Sequence, residues 1–483
     1  MEFPDALLID GGWRREGSGG RIALVEPATE RPLCDVPAAG RAEVDAALAA
    51  ASECVAKRGW SARSPADRAA ILLSVAAAIR QRAVELATIE ARNVGKPIAD
   101  ARWEIGAGAR CFEYYAGAIS QFSGETLPVA AEGFDYTIRV PMGVVACIVP
   151  WNFPFLMACW KVAPALATGN AVVLKPASLT PLSALALGEL ILQAGVPASA
   201  FQVIAGRGGE IGDYLVSHPA VRKIAFTGET ATGARIMKLA ADDIKRVSLE
   251  LGGKSPNIIF ADADIEAAAG AAPMAVFANT GQDCCARSRV LVEETIYERF
   301  LEAFVAATRR LVVGDPLDES TQVGPMISDA QRTRVEGYLA LAREEGGRVL
   351  CGGERSRSPG YYLAPTVIDR LPSRSRVCQE EIFGPVACVI PFRGEAQAIQ
   401  LANDTPYGLS GSLWTRDLER ALRVARAVES GVLSVNSNSS VHQEAPFGGF
   451  RRSGFGRDLG VEAMRLYTEV KNVFIRVPAS ESP

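Results

Sequence analysis

Histidine is scarce in this chain, which has two in 483 residues, His218 and His442. A hydrolase built on a serine–histidine or cysteine–histidine pair would have to use one of these two. His218 stands before Pro219 in a predicted loop, and His442 lies in a polar loop where no neighbour marks it as a base. The sequence therefore gives little support to histidine-dependent catalysis.

Paired cysteines, long apolar runs and an excess of one charge are also missing. The ten cysteines include no CxxC pair and no Cys/His cluster with zinc spacing. No apolar run reaches the roughly 18 residues of a membrane-spanning helix, and the acidic start Met1–Asp5 is unlike a signal peptide. A net charge of −4 does not favour nucleic-acid binding. We expect a reduced, cytoplasmic protein without metal, membrane or nucleic-acid partners.

Short apolar strands alternate with amphipathic helices from Gly143 onward. The predicted strands of this block are Val144–Val149, Ala171–Leu174, Phe201–Ala205 and Ile224–Thr227, and its helices span about Thr180–Ala194 and Ala231–Ala241. This alternation predicts a parallel, doubly wound α/β sheet, in which ligands bind beyond the carboxyl ends of the strands. A similar block from near Gly252, with a helix over Ile265–Asn279, predicts a second α/β domain.

Two further patterns lie outside these blocks. Ser64–Gly95 is predicted to form one long helix, with Ser64 as its N-cap and Gly95 as its C-terminal stop. Phe134–Val140 and Val470–Val477 alternate like half-exposed strands. We hypothesise that these two strands pair as a ribbon for oligomer contacts; ordinary edge strands are the alternative.

A cysteine and a glutamate are the first candidates for catalysis. In the stretch that ends with Cys284 and Cys285, the cysteines fall on the turn after a helix, where a thiol is exposed enough to act as a nucleophile. The alternative is a pair of buried, inert cysteines. Glu250 stands between two leucines at a strand end, where desolvation raises the pKa of a carboxyl and suits it to general-base catalysis. The alternative is a structural pairing with Lys254.

Three weaker signals accompany them. Asn152 lies where a strand ends and a helix begins, so its amide can donate to an oxyanion or simply form an Asx turn or helix cap. The glycines of Gly228–Gly233 open a helix whose N-terminus can hold a pyrophosphate, although no GxGxxG motif occurs. Lys175, at a strand end, can contact a ribose or phosphate, or be a solvated lysine.

Five motifs occur together in the order and at the spacings found in one family. They are Trp151-Asn-Phe-Pro, Leu249-Glu-Leu-Gly-Gly-Lys-Ser-Pro, Gly281-Gln-Asp-Cys, Glu380-Glu-Ile-Phe-Gly-Pro and Pro446-Phe-Gly-Gly. In this combination the chain resembles the aldehyde dehydrogenase superfamily, from about residue 8 to residue 477. The resemblance implies a Rossmann-like NAD-binding domain, an α/β catalytic domain and a small β-ribbon for oligomerisation.

The resemblance also implies a reaction and the residues that perform it. Cys284, rather than Cys285, matches the nucleophile that attacks the aldehyde and passes through a thiohemiacetal and a thioester. Asn152 and the backbone N–H of Cys284 match the oxyanion hole. Glu250 matches the base that activates water for thioester hydrolysis. The expected product is a carboxylate, and no metal ion is required.

The cofactor positions follow from the same resemblance. Lys175 matches the contact to the adenosine ribose, Glu381 the contact to the nicotinamide ribose, and Phe383 and Trp151 the nicotinamide side. Gly228 and Glu229 match the turn under the pyrophosphate, and Glu229 is expected to point away from the phosphates because it would repel them. Ser178 stands where NAD-strict members often carry Glu, so we expect NAD as the cofactor with NADP tolerated.

The substrate positions are less specific. Gln-Asp-Cys is similar to members that act on aminoaldehydes, and Asp283 can pair with a substrate ammonium. Aromatic side chains at tunnel positions can add cation–π contacts, whereas Val441 leaves the aromatic box incomplete. The expected tunnel residues are Phe153, Trp160, Val441 and Phe447, with Tyr114 and Tyr115 as further aromatic candidates.

The resemblance predicts the division of the chain and leaves several functions open. We expect the cofactor domain at 1–122 and 142–251, the catalytic domain at 252–452, and the ribbon and tail at 123–141 and 453–483, in a homodimer or homotetramer. The leading function is oxidation of an aminoaldehyde. Semialdehydes and aliphatic or aromatic aldehydes are alternatives, as are a CoA-acylating relative, a retired NAD-binding protein and a thiol hydrolase. Glu250 argues against the acylating class.

Overall fold

Two large sheets and their helices account for most of residues 3–477, which the computed structural model describes. The strands, in chain order, are β1 (Leu7–Ile9), β2 (Gly12–Arg14), β3 (Arg21–Glu26), β4 (Arg31–Pro37), β5 (Thr126–Leu127), β6 (Phe134–Pro141), β7 (Val144–Ile148), β8 (Ala171–Lys175), β9 (Phe201–Val203), β10 (Val221–Thr227), β11 (Arg246–Glu250), β12 (Pro256–Ile259), β13 (Arg289–Glu293), β14 (Arg348–Cys351), β15 (Thr366–Asp369), β16 (Val386–Phe392), β17 (Ser410–Trp414), β18 (Val432–Val435), β19 (Gly454–Phe455) and β20 (Thr468–Ile475). The helices are α1 (Arg41–Ala56), α2 (Pro65–Gln81), α3 (Ala83–Val94), α4 (Ile98–Ala118), α5 (Pro154–Ala167), α6 (Leu182–Gln193), α7 (Asp213–Ser217), α8 (Thr230–Ala241), α9 (Ile265–Phe277), α10 (Tyr297–Arg309), α11 (Asp329–Glu344), α12 (Arg376–Gln379), α13 (Gly394–Asn403), α14 (Leu418–Ala427) and α15 (Gly460–Arg465).

The first sheet has parallel strands at its centre. Its order is β19-β11-β10-β7-β8-β9-β1-β2, and β11 to β9 run parallel. Every residue of β7 and β8 is buried, as expected for strands covered by helices on both faces. The predicted doubly wound α/β sheet is therefore confirmed. The carboxyl ends of β7, β8, β10 and β11 meet at one edge.

The second sheet begins at β12, close to the predicted start of the second block. Its order is β14-β15-β16-β13-β12-β17-β18, and all its pairs except β14–β15 are parallel. Alternate side chains enter different cores: Ile258 and Leu291 lie in one, and Ile259 and Val290 lie in the other. This period of two shows that helices cover both faces of this sheet as well.

The long helix predicted over Ser64–Gly95 is wrong in its middle. Its ends are confirmed: Ser64 accepts a hydrogen bond from the Asp67 N–H at 3.1 Å, and Gly95 ends the helix with φ of +85°. At Arg82, however, φ of −103° and ψ of +18° separate α2 from α3. The Arg82 side chain binds Glu85 and Glu189, each at 2.6 Å, and holds this corner against α6. No glycine or proline marks the break in the sequence.

The predicted ribbon pairing is confirmed. β20 pairs antiparallel with β6 from Thr468–Pro141 to Ile475–Phe134, and β5 adds a third strand. Residues 454–455 form β19, which pairs with β11 in the first sheet. Residues 1–2 and 478–483, the latter part of the predicted tail, lie outside the described residues. The domain boundaries themselves stay a prediction.

Within residues 3–477, no helix combines the length and the apolar character that crossing a membrane requires.

Candidate active site

One large cavity of about 1010 Å³ collects residues from both sheets. Trp151, Thr227 and Glu250 follow or end strands of the first sheet, and Trp414 and Asn436 end or follow strands of the second. The sequence-predicted site residues that line it are Asn152, Glu250, Cys284, Trp151, Gly228, Glu229, Glu381, Phe383, Asp283, Phe153, Trp160, Val441 and Phe447. Lys175 and Ser178 lie outside this lining.

Cys284 stands on a strained turn. The preceding helix α9 was predicted to reach Asn279 but ends at Phe277, because Asn279, Thr280 and Gly281 adopt left-handed backbone angles with φ of 48°, 60° and 68°. Such angles are unfavourable for a β-branched residue, and the Thr280 hydroxyl is held by a 3.0 Å hydrogen bond to the Gly324 carbonyl. This turn re-aims the chain so that the half-buried Cys284 lines the cavity.

Glycines allow the backbone to approach closely around this turn. A Cβ on Gly281 would lie 2.2 Å from the Gly384 carbonyl oxygen, and a Cβ on Gly253 would lie 2.4 Å from the Cys284 carbonyl oxygen. Both positions therefore accept no larger residue without movement of the backbone. The Gly281-Gln-Asp-Cys and Leu-Gly-Gly-Lys motifs are thus packed against each other.

The surroundings of the Cys284 thiol favour its protonated form over the thiolate. Its hydrogen bond with the Cys285 thiol is the largest cause that raises the pKa of Cys284 well above its ordinary value, and burial is the second. Nearby Asp283 and Glu381 act in the same direction because they are acidic. A proton acceptor is therefore required before this sulfur can attack a carbon atom.

Glu250 is a buried carboxyl group in the lining of the same cavity. It ends β11, is 4% exposed, and neither carboxylate oxygen has a hydrogen-bond partner among the described residues. Burial is the main cause that raises its pKa well above the ordinary value, and Asp458 adds to the shift, whereas Lys161 and Arg457 oppose it. The desolvation predicted from the two flanking leucines is confirmed.

Asn152 contacts the cysteine turn directly. Its Nδ2 donates to the Gln282 carbonyl oxygen at 2.9 Å, and its own carbonyl accepts from Asn279 Nδ2 at 2.9 Å. A side-chain amide carries two N–H donors, so one remains for a ligand in the cavity. The helix-cap alternative is wrong, because Phe153 is the N-cap residue of α5 and no side chain caps that helix.

Another region of the cavity combines an aromatic corner with a carboxylate. The rings of Trp151 and Phe383 meet edge to face with centroids 5.1 Å apart. Glu381 Oε1 accepts a 3.0 Å hydrogen bond from the Gly253 N–H, and burial raises the pKa of Glu381 to about 7. A flat apolar ring and a sugar hydroxyl would both find partners here.

The N-terminus of α8 opens into the same cavity through Gly228 and Glu229. Free N–H groups at a helix N-terminus favour a phosphate. Glu229 makes no capping hydrogen bond to α8; its Oε1 lies 4.0 Å from Nη1 of Arg334 on helix α11. Arg334 and Gln331 also line the cavity. Sequence reasoning missed them because α11 carries no motif there.

Lys175 is buried at the end of β8. Its Nζ donates to the Pro176 carbonyl oxygen at 3.0 Å, and burial lowers its pKa to about 8. Ser178 is half-buried, three residues further on. The solvated-lysine alternative for Lys175 is therefore wrong, and the contact of both residues with a ribose stays a prediction.

The part of the cavity around Asp283 is aromatic and acidic. Trp160 packs edge to face on Phe447, with centroids 5.2 Å apart. Asp283 Oδ1 accepts the Cys285 N–H at 2.8 Å. The further aromatic candidates are wrong: Tyr114 and Tyr115 do not line the cavity, and Tyr115 is a core residue whose hydroxyl donates to the Gly460 carbonyl.

Sequence reasoning missed Asp100 and Trp103, which line the cavity from the first turns of α4. Burial is the main cause that raises the pKa of Asp100, although nearby Lys96 opposes the shift. The sequence around them predicts only an ordinary helix, so no local signal marks these side chains as part of a site. Residues 436–440, a polar loop after β18, line the cavity as well.

A family model described as the aldehyde dehydrogenase family matches residues 13–473. The chain belongs to the aldehyde dehydrogenase family. It is 43% identical to betaine aldehyde dehydrogenase 1 of Oryza sativa subsp. japonica, over 97% of this chain and 94% of that protein. It is also 43% identical to 4-trimethylaminobutyraldehyde dehydrogenase A of Danio rerio, over 95% of this chain and 91% of that protein.

Solved structures agree with this assignment. Betaine aldehyde dehydrogenase of Staphylococcus aureus in complex with NAD+ superposes with a TM-score of 0.96 at 34% identity, covering 98% of each chain. An indole-3-acetaldehyde dehydrogenase of P. syringae in complex with NAD+ gives a TM-score of 0.97 at 39% identity, over 99% of this chain and 97% of that chain. As a member of this family, the chain oxidises an aldehyde with NAD(P) as its cofactor, and both of these solved relatives hold NAD+.

Proposed function

We propose that this dehydrogenase oxidises small to medium aminoaldehydes, whose far end carries an ammonium group, to carboxylates. The observation that carries the proposal is a pair of half-buried carboxyl groups, Asp283 and Asp100, in the wall of the cavity that contains Cys284. A partly desolvated carboxylate attracts a cation more strongly than an exposed one does. The relatives named for betaine aldehyde and 4-trimethylaminobutyraldehyde support the same class of substrate.

The aromatic wall supports a cationic substrate as well. Trp103, Phe153, Trp160 and Phe447 line the cavity and offer ring faces or edges to an ammonium group. Neutral aldehydes remain a second candidate class because of Val441, an aliphatic side chain in this wall. Asp283 Oδ1 already accepts the Cys285 N–H at 2.8 Å. Asp283 therefore has fewer free acceptor sites for a substrate ammonium group.

The first chemical step belongs to Cys284. Its thiol gives up a proton, the sulfur attacks the carbonyl carbon, and a thiohemiacetal forms. The free N–H of the Asn152 amide and the Cys284 backbone N–H stabilise the oxyanion. Asn152 is preorganised for this task by its bonds to Gln282 and Asn279. NAD+, when bound, accepts the hydride that leaves the carbon atom.

The second step belongs to Glu250. Because its carboxylate is buried and has no hydrogen-bond partner among residues 3–477, it has a strong tendency to take a proton. It removes one from water, and the resulting hydroxide attacks the thioester carbon. The carboxylate product leaves and the Cys284 sulfur is released. The thiol proton of the first step is released to solvent, so Glu250 is ionised when it meets the water.

Most of the proposed cofactor residues line the cavity. The aromatic corner of Trp151 and Phe383, the Glu381 carboxylate and the N-terminus of α8 fit a nicotinamide ring, a ribose hydroxyl and a pyrophosphate in turn. Lys175 is the proposed adenosine-ribose contact, and Ser178 beside it allows NADP because serine does not repel a 2′-phosphate. A cytoplasmic location and a homodimer or homotetramer also remain part of the proposal.

A panel of aldehydes tests the substrate class. Turnover is measured by the absorbance of NADH. We expect higher kcat/KM values for 4-aminobutyraldehyde and betaine aldehyde than for propanal, benzaldehyde or succinate semialdehyde. Asp283→Asn and Asp100→Asn should each lower kcat/KM for the cationic pair and leave propanal nearly unchanged. A higher kcat/KM for propanal or succinate semialdehyde than for the two cationic aldehydes would contradict the aminoaldehyde assignment. The oxidation of an aldehyde to a carboxylate would then stand without that substrate class.

A further inference from the structure

Cys285 has no task in the reaction described above. It is 5% exposed, lines the cavity beside Cys284, and shares a hydrogen bond with the Cys284 thiol. The ligating atoms of Asp283, Cys284 and Cys285 all lie within 4.8 Å of one another. Two sulfur atoms and a carboxylate oxygen at this separation form a ligand set that soft divalent cations prefer.

The turn fixes this set on rigid backbone. The Cys285 N–H donates to Asp283 Oδ1 at 2.8 Å, and the Cys285 carbonyl accepts from Arg287 Nη1 at 2.8 Å. The Arg287 guanidinium is itself held by Ser412 at 3.2 Å and Ser440 at 2.8 Å. The hydrogen bond from the Cys285 N–H orients the Asp283 carboxylate and leaves its Oδ2 free for a metal ion. Carboxylates that bind metals are commonly oriented by such a hydrogen bond.

We propose that Asp283, Cys284 and Cys285 form an inhibitory binding site for a thiophilic divalent cation such as Zn²⁺ or Cd²⁺. A tetrahedral Zn²⁺ sets two sulfur ligands about 3.8 Å apart, which small side-chain rotations can reach from the observed separation. On binding, each thiol loses its proton to solvent and two metal–sulfur bonds form, while water from the cavity supplies a fourth ligand. Two thiolates neutralise the charge of the ion, and the carboxylate gives the site a net negative charge.

The expected consequence is reversible loss of turnover. A cation bound to Cys284 Sγ occupies the electron pair that would attack the aldehyde. A chelator then restores activity, because no covalent bond within the protein has changed. Binding itself depends only on the three side chains, whereas its effect on turnover rests on the proposed role of Cys284.

Cd²⁺ titration of the purified full-length protein without NAD tests the site. Binding is followed by the ultraviolet charge-transfer absorbance of cadmium–thiolate bonds, and Zn²⁺ binding by equilibrium dialysis. We expect Cys285→Ser, and separately Cys284→Ser, to weaken binding by at least about tenfold, or about 1.4 kcal/mol. Asp283→Asn should weaken it as well, since a neutral amide replaces a charged ligand.

Two control variants show whether the ion binds at these three side chains or at thiols elsewhere in the chain. Cys351→Ser changes another half-buried thiol and should bind the ion like the parent. Cys285→Ser should resist Zn²⁺ inhibition when its turnover with added metal is compared with its own metal-free rate. Unchanged binding by Cys285→Ser, or an equal loss in Cys351→Ser, would overturn the proposal. If the metal binds as expected but no aldehyde is oxidised, the proposed function fails while the metal site stands.

Discussion

Burial makes acidic side chains of the cavity behave differently from one another. Glu250 has no hydrogen-bond donor among residues 3–477, so burial raises the pKa of its carboxyl well above the ordinary value. Glu381 receives the Gly253 N–H, which moderates the effect of burial and leaves its pKa at about 7. The first is suited to taking a proton, and the second to accepting a hydroxyl in its ionised form.

The pH dependence of cofactor binding tests the role of Glu381. An ionised carboxylate accepts a ribose hydroxyl more strongly than a neutral carboxyl does, so NAD affinity should increase as the pH rises through about 7. Calorimetry of NAD binding in the absence of aldehyde measures this directly. Glu381→Gln should bind NAD more weakly at high pH and lose the dependence. An unchanged profile in that variant would remove Glu381 from the cofactor site.

Among single residues, the sequence predicts those that stand in motifs. Cys284, Glu250 and Asn152 were all found because their neighbours are distinctive, and all three line one cavity. Asp100 and Arg334 cannot be predicted in the same way, because each lies on an amphipathic helix. The hydrophobic periodicity of such a helix indicates which side chains are buried, but it does not indicate which ones line a cavity. Only the packing of α4 and α11 brings those two side chains to the site.

At the scale of elements, the turn between α9 and Cys284 decides where the thiol stands. Three consecutive left-handed residues replace the last turn of the helix predicted to reach Asn279. Glycine is required at Gly281 for two reasons, the positive φ and the 2.2 Å separation that a Cβ would have from the Gly384 carbonyl. We therefore expect both stability and cysteine placement to depend on this residue.

Gly281→Ala tests the turn. A left-handed alanine costs about 1–2 kcal/mol before the steric clash is included, so the free energy of unfolding from denaturant titration should fall by at least that amount. Turnover should fall further than stability alone explains, because Cys284 moves. Gly337→Ala, in an exposed position of helix α11 with open space around it, should instead stabilise by about 0.5–1 kcal/mol. Equal effects of the two substitutions would contradict this account.

Element boundaries show what periodicity can and cannot predict. Ser64, Pro65 and Gly95 mark helix ends by local chemistry, and all three occur where expected. Arg82, at the break, is paired with Glu189 on α6, more than a hundred residues away. Glu189 lies too far along the chain to enter a local sequence pattern. The periodicity therefore predicts one continuous helix and misses the break at Arg82.

At the scale of the whole molecule, the ribbon exposes apolar side chains, and one of its faces shows the pattern. Opposite residues of antiparallel strands lie on one face, which places Phe134 with Ile475, Tyr136 with Val473, and Ile138 with Lys471. Phe134, Ile138 and Ile475 are 47%, 38% and 48% exposed in the single chain. Such a stripe is typical of a surface that a second copy covers, which supports the proposed oligomer.

Replacing two residues of this face tests the oligomer. We expect the parent to sediment as a dimer or tetramer, and Ile138→Glu combined with Ile475→Glu to shift it to smaller species, because buried like charges oppose association. Lys238→Glu, at an exposed position of helix α8 outside the ribbon, is the control and should keep the parent size. A parent that sediments as a monomer would contradict the assignment of this ribbon to oligomer contacts.

The central claim is that Cys284 carries the acyl group and Glu250 activates the water that removes it. Glu250→Gln mixed with NAD and an aldehyde that the parent oxidises should give a rapid burst of NADH and then a slow steady rate. Mass spectrometry of the protein quenched during that phase is the direct measurement. The account predicts one acyl adduct on Cys284 and none in Cys284→Ala/Glu250→Gln. An adduct on Cys285, or a steady rate equal to the parent's, would contradict it.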